Sequence, residues 1–177
     1  MIVWINGAYG AGKSTTAELL EAILGESYIF DPEEIGNCVR ERKPRSLWKD
    51  DFQEYPSWRS MTYLLLKELY EMYEGTIIVP MTVLDPAYLD EIIGRLEREG
   101  IPVMHFILMA GREEISGRIR KRGEEEDCWC MQQVDRCVSI LGNLIRGIEI
   151  DTDTKSAKEA AEEISRYLRE YVKESEI

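Results

Sequence analysis

The chain has 177 residues, a length at which one domain can bury a sizeable core. Its formal net charge of −12 argues against a nucleic-acid-binding surface or a surface for anionic membranes, and no apolar run approaches the ~20 residues of a membrane-spanning helix. Because the first strand-like run starts at residue 2 and leaves no room for a signal peptide, we expect a cytoplasmic protein whose four cysteines are reduced.

Strand-like and helix-like segments alternate along the chain, which predicts an α/β fold with a parallel sheet and helices on both faces. The predicted strands are short and mostly apolar, as strands buried on both faces are, and span 2–6, 28–30, 76–81, 103–109 and 148–150. Helices are predicted from 13 to about 24, from near 58 to a stop at Gly75, from 85 to 100, and from Ser156 onward. With no repeat and no linker, residues 1–177 are predicted to form a single domain.

Two of these helices have a predicted core-facing stripe that can be checked against the structure. The stripes are Trp58, Met61, Leu65, Leu69 and Met72 before Gly75, and Ala160, Ile164, Leu168 and Tyr171 in the last helix.

The first strand runs into a glycine-rich turn that opens the first helix. Its pattern, Gly-x4-Gly-Lys-Ser from Gly7 to Ser14, is that of a phosphate-binding loop in the strand–loop–helix context that such a loop requires. Lys13 is predicted to reach the β- and γ-phosphates of ATP or GTP, and the Ser14 hydroxyl to bind Mg²⁺. The predicted nucleotide-binding set in this region is Gly7, Ala8, Tyr9, Gly10, Ala11, Gly12, Lys13, Ser14 and Thr15.

Asp31 ends the second predicted strand and directly precedes Pro32. It is a good N-cap for the following helix, and a carboxylate beside a phosphate-binding loop can also accept the proton of an attacking hydroxyl or order the waters of a metal. The two roles do not exclude each other, and we interpret Asp31 as catalytic and substrate-binding, with Glu33 as the second candidate. The third strand ends without an acid, which favours a kinase-like chain over a nucleotide switch.

Two long stretches interrupt the regular alternation, and such insertions in compact α/β domains are usually functional. The first, at about 41–74, is predicted to bind a substrate with a flat ring and polar edges, with Gln53 and Arg59 in contact with it and Trp58 and Met61 in the core.

The second stretch, at about 111–141, is predicted to be a helical lid. Arg118 and Arg122 lie one helical turn apart, and Arg136 lies on a second helix. Guanidinium groups compensate charge on a transferred phosphoryl group, so we predict that these arginines are catalytic and that Arg118 also binds nucleotide. The alternative is a solvated basic helix paired with nearby acids.

Asp151 and Thr152 follow the fifth strand, where they are predicted either to line an adenine pocket or to cap the next helix.

Cys128 and Cys130 raise the question of a zinc-bearing lid. A Cys-x-Cys spacing is atypical for zinc, and further ligands such as Cys38 and His105 lie far away in sequence, which disfavours this interpretation.

Taken together, the sequence resembles the tunicamycin-resistance proteins, a bacterial branch of the P-loop nucleotide-kinase superfamily. The resemblance covers nearly the whole chain and rests on segments 5–13, 30–33, 50–59, 78–82, 91–96 and 133–138, of which Asp-Asp-Phe-Gln-x-Tyr-Pro-x-Trp-Arg at 50–59 is the most specific. It implies a three-layer P-loop kinase fold with a five-stranded parallel sheet in the order 2-3-1-4-5 and a helical lid.

The resemblance further implies binding of ATP with Mg²⁺ and phosphorylation of a nucleoside-like small molecule, with resistance to tunicamycin as the expected outcome. ATP-dependent sequestration of the drug without catalysis is the alternative, and a regulatory NTPase is the least favoured. Some relatives are thought to associate with membranes through a basic C-terminal extension. The tail at 173–177 is not basic, so we expect no membrane association, and the net charge of −12 leads us to expect no nucleic-acid partner. The oligomeric state stays open, with a homodimer among the alternatives.

Overall fold

Five parallel strands form one sheet in a computed structural model of the chain, which describes residues 1–125 and 127–175. Residue 126, within the predicted lid, and residues 176 and 177, within the tail, lie outside the described residues. The strands are β1 (Ile2–Gly7), β2 (Ser27–Ile29), β3 (Thr76–Pro80), β4 (Val103–Met109) and β5 (Ile148–Asp151). Their order, β2-β3-β1-β4-β5, confirms the predicted topology.

The central strand β1 explains why the strands are apolar almost throughout. All six of its residues are buried, and it pairs with β3 through Ile2–Ile77 and with β4 through Ile2–Val103. Helices cover both faces of such a parallel sheet, so neither set of alternating side chains meets water. Each predicted strand lies within one residue of its observed bounds at either end.

Eight α-helices connect and cover the strands in the described part of the chain. Capping explains where several of them begin: the Asp31 and Asp85 carboxylates accept backbone N–H bonds of 2.9 and 2.8 Å, and Ser156 and Glu159 form a reciprocal capping box. The helices are α1 (Lys13–Leu24), α2 (Pro32–Glu41), α3 (Pro56–Met72), α4 (Pro86–Leu89), α5 (Arg95–Arg98), α6 (Arg112–Lys121), α7 (Trp129–Asn143) and α8 (Ala157–Ser175).

Two helix predictions need correction. The helix predicted from 85 to 100 is divided, because a π-helical segment, Asp90–Gly94, joins α4 to α5. In α3, Trp58 is fully buried as predicted, but Met61, Leu65 and Met72 are 39%, 38% and 78% exposed. The inward face of α3 carries Arg59 and other polar side chains, so a pattern based on apolar spacing selected residues that face outward.

The last helix follows its prediction more closely. Ala160, Ile164 and Leu168 are buried, whereas Tyr171 is 40% exposed. None of the described helices is both long enough and apolar enough to cross a bilayer.

The carboxyl ends of the strands lie along one edge of the sheet because the strands are parallel. β1 leads there into the glycine-rich loop, β2 into Asp31, β3 into Thr82 and β5 into Thr152. Ligands of open parallel sheets bind beyond this edge. The fold therefore brings the glycine-rich loop, Asp31 and Thr152 to one edge of the sheet.

Candidate active site

The loop between β1 and α1 owes its shape to glycines. Gly10 and Gly12 have φ angles of 87° and 96°, in the left-handed region that other residues rarely adopt. Among the described residues, no side chain caps the start of α1, so the N–H groups of its first turn are available to a ligand. Such a helix start, with free donors at the positive end of the helix dipole, fits a phosphate group.

The Lys13 ammonium group is folded onto this loop. Its Nζ donates to the carbonyl oxygens of Gly7 and Ala8, at 3.1 and 3.0 Å. Burial lowers the pKa of Lys13 to about 8, while the nearby Glu33 carboxylate raises it. The ammonium is therefore largely charged at neutral pH and lies beside the backbone donors that would hold a phosphate.

Ser14 and Thr15 begin α1 with exposed side chains. Mg²⁺ is usually held by one or two protein oxygens together with substrate phosphates and water, so the Ser14 hydroxyl is a suitable ligand. β3 ends at Pro80, and the following Met81 and Thr82 supply no carboxylate. The residues present thus fit a magnesium ion held mainly by a nucleotide.

Asn6 and Thr82 clasp the start of the loop to the segment after β3. The buried Asn6 side chain accepts from the N–H groups of Gly7 (2.8 Å) and Val83 (3.1 Å) and donates to the Val83 carbonyl (2.9 Å). The Thr82 hydroxyl donates to the Gly7 carbonyl at 2.7 Å. This clasp was not predicted, although polar residues at the ends of two buried strands are a signal that sequence reasoning could have used.

We expect Asn6→Ala to lower the free energy of unfolding by about 2–4 kcal/mol, because buried backbone groups of Gly7 and Val83 would lose their partner. Urea unfolding followed by circular dichroism measures this loss. The control is Asn143→Ala, an exposed amide that donates to the Ser139 carbonyl of its own helix. Equal urea midpoints for wild type and Asn6→Ala would contradict a stabilising role for these hydrogen bonds.

Asp31 and Glu33 are the first two carboxylates after the end of β2. Asp31 is exposed and caps α2, as predicted, by accepting from the Glu33 backbone N–H at 2.9 Å. Burial raises the pKa of Glu33, and Asp31 raises it further, while Lys13 lowers it. Both carboxylates in turn raise the pKa of Lys13, Glu33 more than Asp31. The Glu33 side chain is exposed, like that of Asp31, and its charge reaches Lys13, so Glu33 stays the second candidate for proton transfer.

The first helix of the predicted lid, α6, rests directly on the loop. A Cβ at Gly10 would lie 3.0 Å from Ile119 Cγ1 and 3.3 Å from Ile115 Cγ2. Arg118 donates to the Ala11 carbonyl at 3.2 Å and also to the Thr152 carbonyl. This arginine thus joins the loop to the segment after β5, beside the place predicted for nucleotide.

Arg122 is more exposed than Arg118. It follows the end of α6, and its Nη1 lies 3.9 Å from a Glu124 carboxylate oxygen. It nevertheless lowers the pKa of Lys13, which places its charge within reach of the loop.

The second helix of the predicted lid, α7, also contacts the loop. The ring of Trp129 contacts Tyr9 edge-to-face, with centroids 4.8 Å apart. The buried Cys137 thiol lies close by: burial raises its pKa, while a hydrogen bond with the Tyr9 backbone, Lys13 and Arg136 lower it. Arg136 is thus near the loop as the lid prediction requires, whereas the Tyr9–Trp129 contact was not predicted.

The loop, the insertion and α7 enclose a cavity of about 390 Å³. Tyr9 belongs to its wall on the loop side, Gln53 on the insertion side, and Trp129 and Arg136 on the α7 side. A cavity of this size, adjacent to the loop and lined by aromatic and polar groups, suits a small-molecule substrate.

The structure separates the two predicted substrate contacts. Gln53 lines the cavity and donates from Nε2 to the Thr82 carbonyl at 2.9 Å. Arg59 instead lies behind the wall, where its Nε donates to Glu91 at 2.6 Å, its Nη1 to the Gln53 carbonyl at 2.5 Å, and its guanidinium stacks 4.1 Å from the Tyr88 ring centroid. This geometry favours support of the cavity wall over substrate contact for Arg59.

Asp151, the last residue of β5, and Thr152, the first residue after it, take different roles. Asp151 is exposed and forms a turn by accepting from the Asp153 N–H and the Thr154 hydroxyl. Thr152 is buried, and its N–H and hydroxyl both donate to the Met109 carbonyl, at 2.7 and 3.0 Å. The helix cap that the sequence offered as their alternative role is supplied by Ser156.

The thiols of Cys128 and Cys130 are 2.7 Å apart, and a Glu124 carboxylate oxygen is 2.7 Å from the Cys130 sulfur. Two sulfurs bound to one zinc ion stand roughly 3.8 Å apart, given Zn–S bonds of about 2.3 Å and tetrahedral angles. Within the described residues this group offers three ligand atoms, one fewer than a structural zinc site uses.

Comparison with known proteins adds family relationships to this geometry. Residues 2–138 match the AAA_33 family, described as an AAA domain. No curated protein sequence matches the chain significantly.

Among solved structures, the tunicamycin resistance protein of Deinococcus radiodurans is 30% identical, with a TM-score of 0.80 over 94% of this chain and 94% of that chain. A sugar kinase from Janibacter sp. is 22% identical, with a TM-score of 0.64 over 95% and 94% of the two chains. The APS kinase of Mycobacterium tuberculosis, in complex with AMPPNP and APS, is 16% identical, with a TM-score of 0.64 over 95% and 96%. These last two likenesses concern the fold alone.

Proposed function

The chain belongs to the tunicamycin-resistance family of P-loop kinase-like proteins, within the AAA_33 family, and from that membership we propose that it is an ATP-dependent phosphotransferase. Its acceptor is a hydroxyl group of a nucleoside-like small molecule, with tunicamycin as the first candidate. The observation that carries this proposal is the cavity of about 390 Å³ next to the phosphate-binding loop. A nucleotide switch needs a phosphate-binding loop but no second small-molecule pocket beside it.

The proposed reaction is a direct phosphoryl transfer. The acceptor oxygen bonds to the γ-phosphorus of ATP while the bond from that phosphorus to the β,γ-bridging oxygen breaks, and its electron pair leaves with ADP. The hydroxyl proton passes to the carboxylate of Asp31, with Glu33 as the alternative acceptor. A bound Mg²⁺ would supply charge neutralisation on the phosphate oxygens, with Ser14 as its protein ligand.

The charges that surround the loop support this role. Lys13 lies in the loop, Arg118 bridges the loop and Thr152, and Arg136 lines the cavity from α7. Positive groups placed around a transferring phosphoryl group stabilise its transition state more than its ground state. We therefore assign Arg118 and Arg136 to charge compensation, and Arg122 to the same role on closure of the predicted lid.

The test is to incubate the purified protein with Mg·ATP and tunicamycin, and separately with a panel of nucleosides, and to weigh the products by mass spectrometry. We expect one acceptor to gain one phosphoryl group, with ADP formed in equal amount. Lys13→Ala is the control, because it retains the cavity but lacks the loop ammonium.

Each outcome of this experiment decides between named functions. A phosphorylated nucleoside with unmodified tunicamycin would keep the kinase and reassign its acceptor. Saturable, ATP-dependent tunicamycin binding without any phosphorylated product would favour the sequestering protein. ADP formation without an acceptor or drug binding would favour a regulatory NTPase.

A further inference from the structure

The three residues after β3 form a buried segment, 81–83, that is fixed to β1 at both of its ends. At its start, the Met81 N–H donates to the Ile5 carbonyl at 3.1 Å. At its other end, the Asn6 side chain bonds both backbone groups of Val83, at 2.9 and 3.1 Å. Each residue of the segment is at most 2% exposed. The segment therefore has little freedom to shift relative to β1.

Thr82, the middle residue of this segment, forms hydrogen bonds in two directions. Its hydroxyl donates to the Gly7 carbonyl at 2.7 Å, and its own carbonyl accepts from Gln53 Nε2 at 2.9 Å. Gly7 begins the phosphate-binding pattern, whereas Gln53 lines the cavity. These two bonds, here called the Thr82 link, connect the loop to the cavity wall through one buried residue.

Gln53 is itself held on the insertion side. Its backbone N–H donates to the Asp51 carboxylate at 2.9 Å, and its carbonyl accepts from Arg59 Nη1 at 2.5 Å. The buried Arg59 also pairs with Glu91, with 2.6 Å between Nε and the carboxylate oxygen. A buried polar group that loses its partner costs free energy, so these bonds support one another. The wall end of the Thr82 link is therefore as firmly placed as its loop end.

Lys13 and Thr82 share the Gly7 carbonyl. Two of the three donors of the Lys13 ammonium are used on the carbonyls of Gly7 and Ala8. Contact with both the β- and the γ-phosphate takes two donors, so ATP draws Lys13 away from at least one of these carbonyls. The Thr82 hydroxyl can remain on the Gly7 carbonyl when this happens. The Thr82 link is therefore expected to contribute most when ATP is bound, and such a difference between states is what couples two sites.

We propose that Thr82 is a positioning residue that couples the cavity to the phosphate-binding loop, so that a ligand held against Gln53 strengthens ATP binding and ATP strengthens binding of that ligand. The inference rests on the proposed function in taking the cavity as the acceptor site. A ligand packed against Gln53 holds the wall end of the Thr82 link, and the link holds Gly7. By thermodynamic linkage the effect is equal in both directions, which favours the complex that contains both substrates.

The first test concerns nucleotide alone and needs no acceptor. Calorimetry in the presence of Mg²⁺ measures the AMPPNP affinity of Thr82→Val, which keeps the branched shape but lacks the hydroxyl, and of Thr82→Ser, which keeps the hydroxyl. We expect Thr82→Val to bind AMPPNP about tenfold more weakly, and Thr82→Ser to stay within about threefold of wild type. Equal affinities of wild type and Thr82→Val would overturn the inference.

A matched control separates positioning from general destabilisation. Tyr63→Phe also removes one hydroxyl hydrogen bond of a buried side chain, the 2.6 Å bond from Tyr63 to Glu99, at a position of α3 outside the Thr82 link. Its AMPPNP affinity is expected to stay within about twofold of wild type. A loss as large as that of Thr82→Val would show that destabilisation alone accounts for both, and would overturn the inference.

A double-mutant cycle then asks whether the cavity wall acts through Thr82. Gln53→Met has a side chain of similar length without an amide donor, and we expect it to weaken AMPPNP binding by about fivefold. In the Thr82→Val background the same change should cost less than about twofold, because the link is already broken. Independent, multiplicative losses in the double variant would overturn the inference. Circular dichroism verifies that each variant is folded, and if Gln53→Met does not fold, the Thr82 variants carry the test.

The last measurement adds a ligand for the cavity. Affinities for tunicamycin and for uridine are measured with and without AMPPNP, and we expect AMPPNP to tighten binding of the ligand by about fivefold. The ratio should fall below about twofold in Thr82→Val and persist in Tyr63→Phe. An equal ratio in wild type and Thr82→Val would overturn the inference.

These measurements separate failure of the inference from failure of the proposed function. If neither tunicamycin nor uridine binds, the nucleoside-like acceptor is contradicted, while the AMPPNP affinities of the Thr82 and Gln53 variants still decide whether the wall and the loop are coupled. If phosphoryl transfer is found but the losses in the cycle are independent, the kinase stands and the coupling through Thr82 is overturned.

Discussion

Lys13→Ala is expected to lower kcat/KM for phosphoryl transfer by at least about 10³-fold, because the loop would lose the positive charge nearest to the transferred group. Coupled measurement of ADP formation with the acceptor found by mass spectrometry gives this ratio. The matched control is Lys121→Ala, which removes the same charge from the exposed end of α6. Equal losses in the two variants would indicate a general charge effect and contradict the role of Lys13.

The lowered pKa of Lys13 predicts that ATP affinity depends on pH. Its ammonium binds phosphate, and burial lowers its pKa in the free protein to about 8. Below that value the binding form is already present, whereas above it the free amine must first take up a proton. ATP affinity measured by calorimetry should therefore be flat below pH 8 and fall by roughly tenfold per pH unit above it. A flat profile up to about pH 9.5 would contradict this assignment.

Asp31→Asn is expected to lower kcat by about 10²–10⁴-fold while ATP affinity changes by less than about threefold. Asparagine caps α2 as well as aspartate does, so the fold is retained and only the proton acceptor is lost. Single-turnover kinetics and ATP calorimetry on the same preparations separate the two effects.

Neighbouring acids of α2 supply the comparison for that prediction. Glu34→Gln, an exposed change in the same first turn, should leave kcat within about twofold of wild type. Glu33→Gln tests the second candidate, whose pKa is raised by burial. Wild-type turnover in Asp31→Asn together with a large loss in Glu33→Gln would transfer the role to Glu33.

The parts of the fold that the sequence predicted correctly are those set by local chemistry. Apolar runs, helix caps such as Asp31 and Asp85, and the glycine pattern of the loop each depend on residues close in the chain. The sheet order came from the resemblance and not from periodicity. It is confirmed by the pairing of β1 with β3 and β4.

The parts that were missed depend on contacts between distant segments. Arg59 is polar, yet Glu91, 32 residues later, makes its burial favourable and turns that face of α3 inward. No period along α3 contains this information, so Met61 was assigned to the core. The Tyr9–Trp129 contact and the Asn6–Val83 bonds are equally remote in sequence.

The candidate site likewise combines features set by local sequence with features set by contacts between distant segments. The sequence predicted which residues would gather at the strand ends, and the structure places Lys13, Asp31 and Arg136 around one loop. The sequence could not show that Arg59 supports the cavity wall, because this role depends on where Tyr88 and Glu91 lie in the fold.

Gly10 occupies a position that the general loop pattern leaves open to any amino acid. In this chain it is doubly restricted, by its backbone angle and by the two isoleucines of α6 that a methyl group would meet. Substitution here would push a neighbouring helix outward as well as strain the turn itself. The tolerance of a motif is therefore decided by what packs over it, and transplanting another kinase's loop into this scaffold would require a glycine at the same place.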